Sequence, residues 1–420
     1  MSKVDPAKAL LIAFTTDGSS VLSSINCLTP EYLCFFLPEE KKDLIETDIQ
    51  PHIVKMPHRW DWILTDDPEN FTVSHQALAR NFPELVKTWG VHPGDLACDI
   101  SDATPSMAAA MSFVCRPMVS RMVMVLKGKS SEPIGETSFP QQASDAILLE
   151  GNPWNEEALQ VRREACHMFN QGGFAQAAHL FHHIESMVSG GEKPMYHAWA
   201  DMSEGYGLWE RFQYRAAWDK LKTSHKSLEL ASVWGGPKGL AELLVLVKAN
   251  MEFLEKLVLD PGEVKRMVAH DLLAHAKRRA HQDHHYELGT SILFRALEAF
   301  SQYQLWSEFK IKTWDIQIDQ VPQSLQARCT NCLLDDIDGK YKLPFLDQYR
   351  TLAELGNPMG KTFVAKWDGM KILLDASYHS VLGHGFEAIK PERFHQLLEL
   401  AYKLTQLNES SLPKFPHLSL

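Results

Sequence analysis

Hydroxyl side chains gather in two short stretches, and each stands where a strand gives way to a helix. The first is Thr15-Thr16-Asp17-Gly18-Ser19-Ser20, between the apolar run Ala9–Phe14 and the helix start Val21–Ile25. The second is Ser101-Asp102-Ala103-Thr104-Pro105-Ser106-Met107, between the apolar run from Leu96 and the small residues Ala108–Ala110. Thr15, Thr16, Ser19, Ser20, Ser101, Thr104 and Ser106 offer hydroxyls to a phosphate or a ribose. Backbone amides at the two helix starts add donors, and a helix N-terminus favours an anion. In an open parallel sheet, loops at the carboxyl ends of strands are where ligands sit. In a single loop, ordinary N-capping by Ser and Thr is the favoured account of such residues. Two loops at matching places bring one small-ligand site level with that account. Asp17 and Asp102 oppose a phosphate at the loop tips and suit contacts to ribose or base.

A second group that could do chemistry lies near the end, in Asp375-Ala-Ser-Tyr-His379-Ser380-Val-Leu-Gly-His384-Gly385. A His between two Gly is freed at the backbone and presents its ring at a helix junction, where imidazole can act as general acid or base. A capping or core His beside a glycine turn is the plainer role. The run His281-Gln-Asp-His284-His285 reads as a solvated helix corner. Cys329 and Cys332 form a single CxxC with no second pair, so two structural thiols are expected there and no metal.

These groups need elements to position them. Strands are predicted at Ala9–Phe14, Tyr32–Leu37, Gln50–Val54, from Leu96, and at Arg121–Leu126. A helix is predicted over Phe71–Trp89, whose apolar spacing is helical. Strands alternating with helices imply a doubly wound, Rossmann-like parallel sheet. Lys127–Gln142, rich in Gly, Ser and Pro, reads as a hairpin or linker. Amphipathic helices follow at Glu156–Asn170, Phe174–Ser189, Tyr196–Leu208, Arg211–Leu230 and Leu240–Leu257. Val264–His281 and Tyr286–Trp306 come next, then a less regular span Val321–Met370, then helices at Met370–Ser380 and Pro391–Leu407. The expected organisation is an α/β domain over 1–142, a helical bundle over 143–260 and a second helical domain over 261–420.

Composition narrows the classes. With 420 residues, 45% of them hydrophobic, the chain can bury sizeable cores and is not disordered. A net charge of −11 disfavours duplex DNA as a broad surface partner. No apolar run is long enough to span a bilayer. Seven Cys without a disulfide spacing pattern fit a reducing compartment, so a cytoplasmic protein is expected.

The two loops and their order resemble the CRISPR-associated Rossmann-fold (CARF) domain. In that family the second loop typically reads Thr-Gly-Gly-Thr-Lys before a Met-containing small-residue helix. Thr104 and Met107 fit that pattern here, while Asp102 and Ala103 replace the glycines and Pro105 the lysine. Residues 276–305 look like the long helices of a HEPN domain, and Ser380-Val-Leu-Gly-His384-Gly385-Phe386 is similar to its closing motif. The resemblance implies a type III CRISPR accessory protein whose CARF domain senses cyclic oligoadenylate without another cofactor. It also implies a homodimer and a HEPN domain that cleaves single-stranded RNA without metal. His384 matches the motif His, with His379 and Ser380 beside it. The motif Arg falls on Ser377 and the following Asn on Tyr378. RNA cleavage through its own 2′-OH needs proton transfer and a cation for the phosphorane charge, and a lone His supplies only the first. Two alternatives follow: a non-catalytic sensor acting on a protein partner, and a ring nuclease acting on the messenger itself. Arg279 and Arg295 are the candidates for supplying a replacement cation.

Overall fold

The computed structural model describes residues 5–126, 147–233, 236–237, 239–282, 284–332, 334–335 and 337–419. The N-terminal part is a six-stranded sheet in the order β3-β2-β1-β4-β5-β6. The strands are β1 (Ala9–Ala13), β2 (Tyr32–Pro38), β3 (Arg59–Thr65), β4 (Leu96–Asp99), β5 (Arg121–Leu126) and β6 (Ile147–Gly151). β1 to β5 run parallel, and β6 pairs antiparallel to β5. Every residue of β1 is buried, as expected of a central strand covered on both faces. Alternation sorts its side chains. Leu10 and Ile12 join Val21 and Ile25 of α1 (Gly18–Leu28). Ala9, Leu11 and Ala13 join Leu78 and Phe82, together with Met107 and Met111.

The strand expected at Gln50–Val54 is not formed. α2 (Lys42–Leu44) sits in a run of helical turns that ends in a 3-10 turn at Gln50–His52. Pro51 lacks the N–H that a sheet ladder needs. The strand is instead β3, whose charges hid it from an apolar search. As an edge strand it tolerates them, and Arg59 pairs with Asp61 at 2.9 Å. α3 (Phe71–Trp89) matches its expected limits, capped by Asn70 and closed by Gly90 at φ 62°. α4 (Pro105–Cys115) starts with Pro at its first position, where a missing N–H costs nothing. Residues 127–142, expected as hairpin or linker, lie outside the described residues.

The remaining helices are α5 (Trp154–Asn170), α6 (Phe174–Met187), α7 (Lys193–Glu210), α8 (Tyr214–Val233) and α9 (Leu240–Leu259). They continue with α10 (Arg266–Gln282), α11 (Tyr286–Phe309), α12 (Gln323–Cys332), α13 (Phe345–Glu354), α14 (Pro358–Ala365), α15 (Trp367–Tyr378) and α16 (Pro391–Thr405). The helix expected from Arg211 begins at Tyr214 because Phe212 takes a left-handed φ of 60°. The irregular span holds three helices, α12 to α14. Side chains of Cys329 and Cys332 lie outside the described residues. The chain packs as two compact units: Met1–Arg163 with Leu180–His197, and Glu164–His179 with Ala198–Leu420. The second has its own core, in which Leu293, Leu297 and Phe300 of α11 meet Leu273 and Ala276 of α10 and Phe394 and Leu397 of α16. Among the described residues no helix is long and apolar enough to cross a membrane.

Candidate functional site

β1 and β4 are hydrogen-bonded parallel neighbours, so their following loops meet at the carboxyl end of the sheet. From β1 the chain order runs outward one way through β2 and β3, and the other way through β4 and β5. That reversal is a topological switch point, the place where open α/β sheets bind their ligands. The helices after the two strands, α1 and α4, start there.

The polar atoms of the two loops are joined to one another. Asp102, 8% exposed, carries the connection. Its carboxylate accepts from the backbone N–H of Thr15 at 2.6 Å, Thr16 at 2.8 Å and Asp17 at 2.9 Å, and from the Thr16 hydroxyl at 3.1 Å. The Thr15 hydroxyl donates to the Asp102 carbonyl at 2.6 Å. Three successive amides turned on one anion form a nest of the kind that holds phosphate. Here the chain's own carboxylate sits in it. Asp17 uses its carboxylate one turn further on, accepting from Ser19 N–H at 3.1 Å and from the hydroxyls of Ser19 and Ser20. It is the N-cap of α1.

The second loop is braced in the same way. Thr104 accepts from Met107 N–H at 3.2 Å as N-cap of α4, and its hydroxyl donates to the Pro68 carbonyl. Ser106 donates to the Glu69 carbonyl at 2.6 Å. Ser101 donates to Asp99 and accepts from Val125 N–H at 2.8 Å. Burial raises the Asp99 carboxyl pKa, against the pull of hydrogen bonds from Ser101 and Ser24. All seven candidate hydroxyls thus donate internally; Ser20 is buried, and the others offer outward only acceptor oxygen. Such oxygens suit ribose hydroxyls or an exocyclic amine better than a phosphate. Met107 is buried, Ala103 and Gly18 are partly exposed, and Pro105 and Thr16 face solvent.

The C-terminal candidates lie on the loop between α15 and α16. His379 caps the end of α15 and is exposed, as is His384. The His384 N–H donates to the Tyr378 carbonyl at 2.7 Å, and its ring centroid lies 4.8 Å from that of Tyr378. Gly383 and Gly385 are required by close approach: a Cβ on Gly385 would overlap the His379 carbonyl, and one on Gly383 the Ser377 carbonyl. Ser380 is 2% exposed. Its carbonyl accepts from Gly383 and Gly385, so it secures the loop. Of the possible replacement cations, Arg279 pairs with Glu210 at 3.1 Å. Arg295 pairs with Glu298 at 3.3 Å and donates to Gln302 at 3.1 Å.

Sequence reasoning missed Glu287, on the first turn of α11. Its carboxylate accepts from Leu382 N–H at 2.8 Å and Ile389 N–H at 2.9 Å, pinning both ends of the histidine loop. Partial burial raises its pKa, but the Leu382 amide, the Ser380 hydroxyl and the Ile389 amide together outweigh that and hold it below its ordinary value of 4.5. A depressed carboxyl pKa stabilises the loop in full above the ordinary value, and that stability disappears as pH falls through the folded one. Glu287→Ala is expected to lower the local opening free energy by about 1.5–3 kcal/mol, the range for a hydrogen bond to a charged group. Hydrogen exchange of the 380–389 amides should show this at pH 7, with the gap between variant and parent closing in acid. Equal protection at pH 7 would contradict the pinning role.

A doubly wound α/β domain with a switch-point loop pair, followed by a long helical region, defines a class of two-part proteins in which a nucleotide-type sheet precedes a helical domain. Comparisons with known proteins identify the family within that class. The family model described as Csm6 6H domain matches residues 158–254, and that described as Csm6 HEPN domain matches residues 263–408. A solved structure of Enterococcus italicus Csm6, bound to cyclic hexa-2'-fluoro-hexa-dAMP, is similar over 96% of both chains at 12% identity, with a TM-score of 0.53. No curated protein matches in sequence. The chain belongs to the Csm6 family, the CARF–HEPN accessory proteins of type III CRISPR systems.

Proposed function

We propose that the N-terminal α/β domain senses cyclic oligoadenylate at the paired loops and that the C-terminal helical domain is the effector, directed at single-stranded RNA. The observation that carries this is the meeting of the Thr15 and Thr104 loops at the switch point, in a chain whose helical part matches the Csm6 domains. The similar Enterococcus protein, bound to a cyclic hexanucleotide analogue, supports the ligand class. A ring of repeated nucleotides suits a twofold pair of such sites, so the working form is a cytoplasmic homodimer. The domain limits that go with this function are 1–142, 143–260 and 261–420. Binding shifts the population of effector states. His384 acts as acid or base, and without an Arg at position 377 cleavage is slow.

Isothermal titration with cyclic tri-, tetra- and hexa-adenylate tests the sensing claim. Heat with one ring size is the expected result, and no heat with any of the three would remove it. An RNA cleavage assay with that ring present tests the effector. His384→Ala should abolish the residual rate, whereas an unchanged rate would show that the loop was misassigned.

A further inference from the structure

We propose that His182, Glu185 and His197 form a binding site for a divalent transition-metal ion of the zinc type. His182 and Glu185 are three residues apart on α6, which places both side chains on one face of that helix. His197 comes from α7. The Glu185 carboxylate lies 2.9 Å from His182 Nδ1 and 3.1 and 3.2 Å from His197 Nδ1. The three candidate ligand atoms all lie within 4.8 Å of one another. Zinc binds imidazole nitrogen at about 2.0–2.1 Å and carboxylate oxygen at about 2.0–2.2 Å, so a tetrahedral site sets ligand atoms about 3.3 Å apart. The carboxylate-to-imidazole separations are already within a few tenths of an ångström of that. Two imidazoles with one carboxylate select zinc, cobalt or nickel over magnesium or calcium, which prefer all-oxygen shells. Side-chain exposures of 40% for His182, 26% for Glu185 and 54% for His197 leave a path for the ion and room for a water as fourth ligand.

The neighbourhood is ordered enough to hold the ligands in place. His183 packs edge-on against Trp154 with ring centroids 5.2 Å apart. Asn155 Nδ2 donates to the Ser189 hydroxyl at 3.0 Å, and Asn152 Nδ2 donates to the Met187 carbonyl at 2.8 Å. A bound ion would therefore cross-link α6 to α7 across the turn at Gly190 and Gly191. The competing arrangement is one in which both rings only donate N–H to Glu185, and the experiment separates the two.

The full-length protein, stripped with a chelator and dialysed free of it, is titrated with Zn2+ against a chromophoric zinc indicator. The expected result is one more tight equivalent in the parent than in His197→Ala, with at least a tenfold loss of affinity in His182→Ala. Equal uptake by parent and both variants overturns the proposal. Co2+ gives a readout independent of the indicator: the parent should show visible ligand-field absorption that His197→Ala lacks. A melting curve in chelator confirms that the variants fold, and Zn2+ should raise the melting temperature of the parent alone. The same spectrum in parent and variants would mean that other histidines hold the ion.

Discussion

Replacing Asp102 by Ala is expected to lower the melting temperature of the unliganded protein and to tighten its hold on cyclic oligoadenylate at least tenfold. The carboxylate accepts from three backbone amides and one hydroxyl of the first loop. Hydrogen bonds to a charged acceptor contribute about 1.5–3 kcal/mol each. Neighbouring bonds to one carboxylate are not additive and water takes over part of what the freed donors lose, so the expected loss is about 2–4 kcal/mol in all, well under the sum of the four. The same removal vacates the amide nest and takes away a negative charge that opposes a ligand phosphate. Tenfold in affinity is about 1.4 kcal/mol, less than one such hydrogen bond, so the gain is a modest demand on the geometry. Asp102→Asn, which keeps an acceptor oxygen without the charge, should fall between. Melting curves with and without the ring, and titration calorimetry, measure both effects. A variant that melts and binds like its parent would show that the carboxylate is not what fills the nest.

The second large effect is expected at the effector loop. Ser377→Arg with Tyr378→Asn should raise ligand-stimulated RNA cleavage about a hundredfold, the lower end of what one charge-stabilising group contributes at a developing oxyanion. Ser377 lies in the last turn of α15, just before the loop that carries His384, and its side chain is partly exposed. A cation there would supply charge stabilisation while His384 transfers the proton. Adding His384→Ala to that variant should return the rate to background. Single-turnover cleavage of labelled single-stranded RNA reads all of this. A folded variant with no gain would place the cleavage defect elsewhere, since Arg279 and Arg295 are already held by Glu210, Glu298 and Gln302.

The reach of the two carboxylates explains why one kind of feature was legible and another was not. Ala9–Ala13 and Leu96–Asp99 announce themselves by unbroken apolar runs, because both faces of a parallel strand are buried. Arg59–Thr65 did not, because an edge strand need bury only part of its surface. Asp102 could be seen to oppose a ligand phosphate. Nothing local could show that it bonds amides 85 to 87 residues away. Glu287 reaches across 95 and 102 residues to Leu382 and Ile389, so no spacing rule could have selected it.

The chain's own pattern therefore determined the doubly wound sheet, the places of the two polar loops at strand ends, and the glycine-flanked His384. Each follows from interactions within a few residues: apolar periodicity, helix capping and turn preference. The tertiary structure alone decided which groups meet. It put Asp102 in the amide nest, Glu287 under the histidine loop and Glu185 between two imidazoles. Those pairings depend on how distant segments pack, and local propensity carries no information about that.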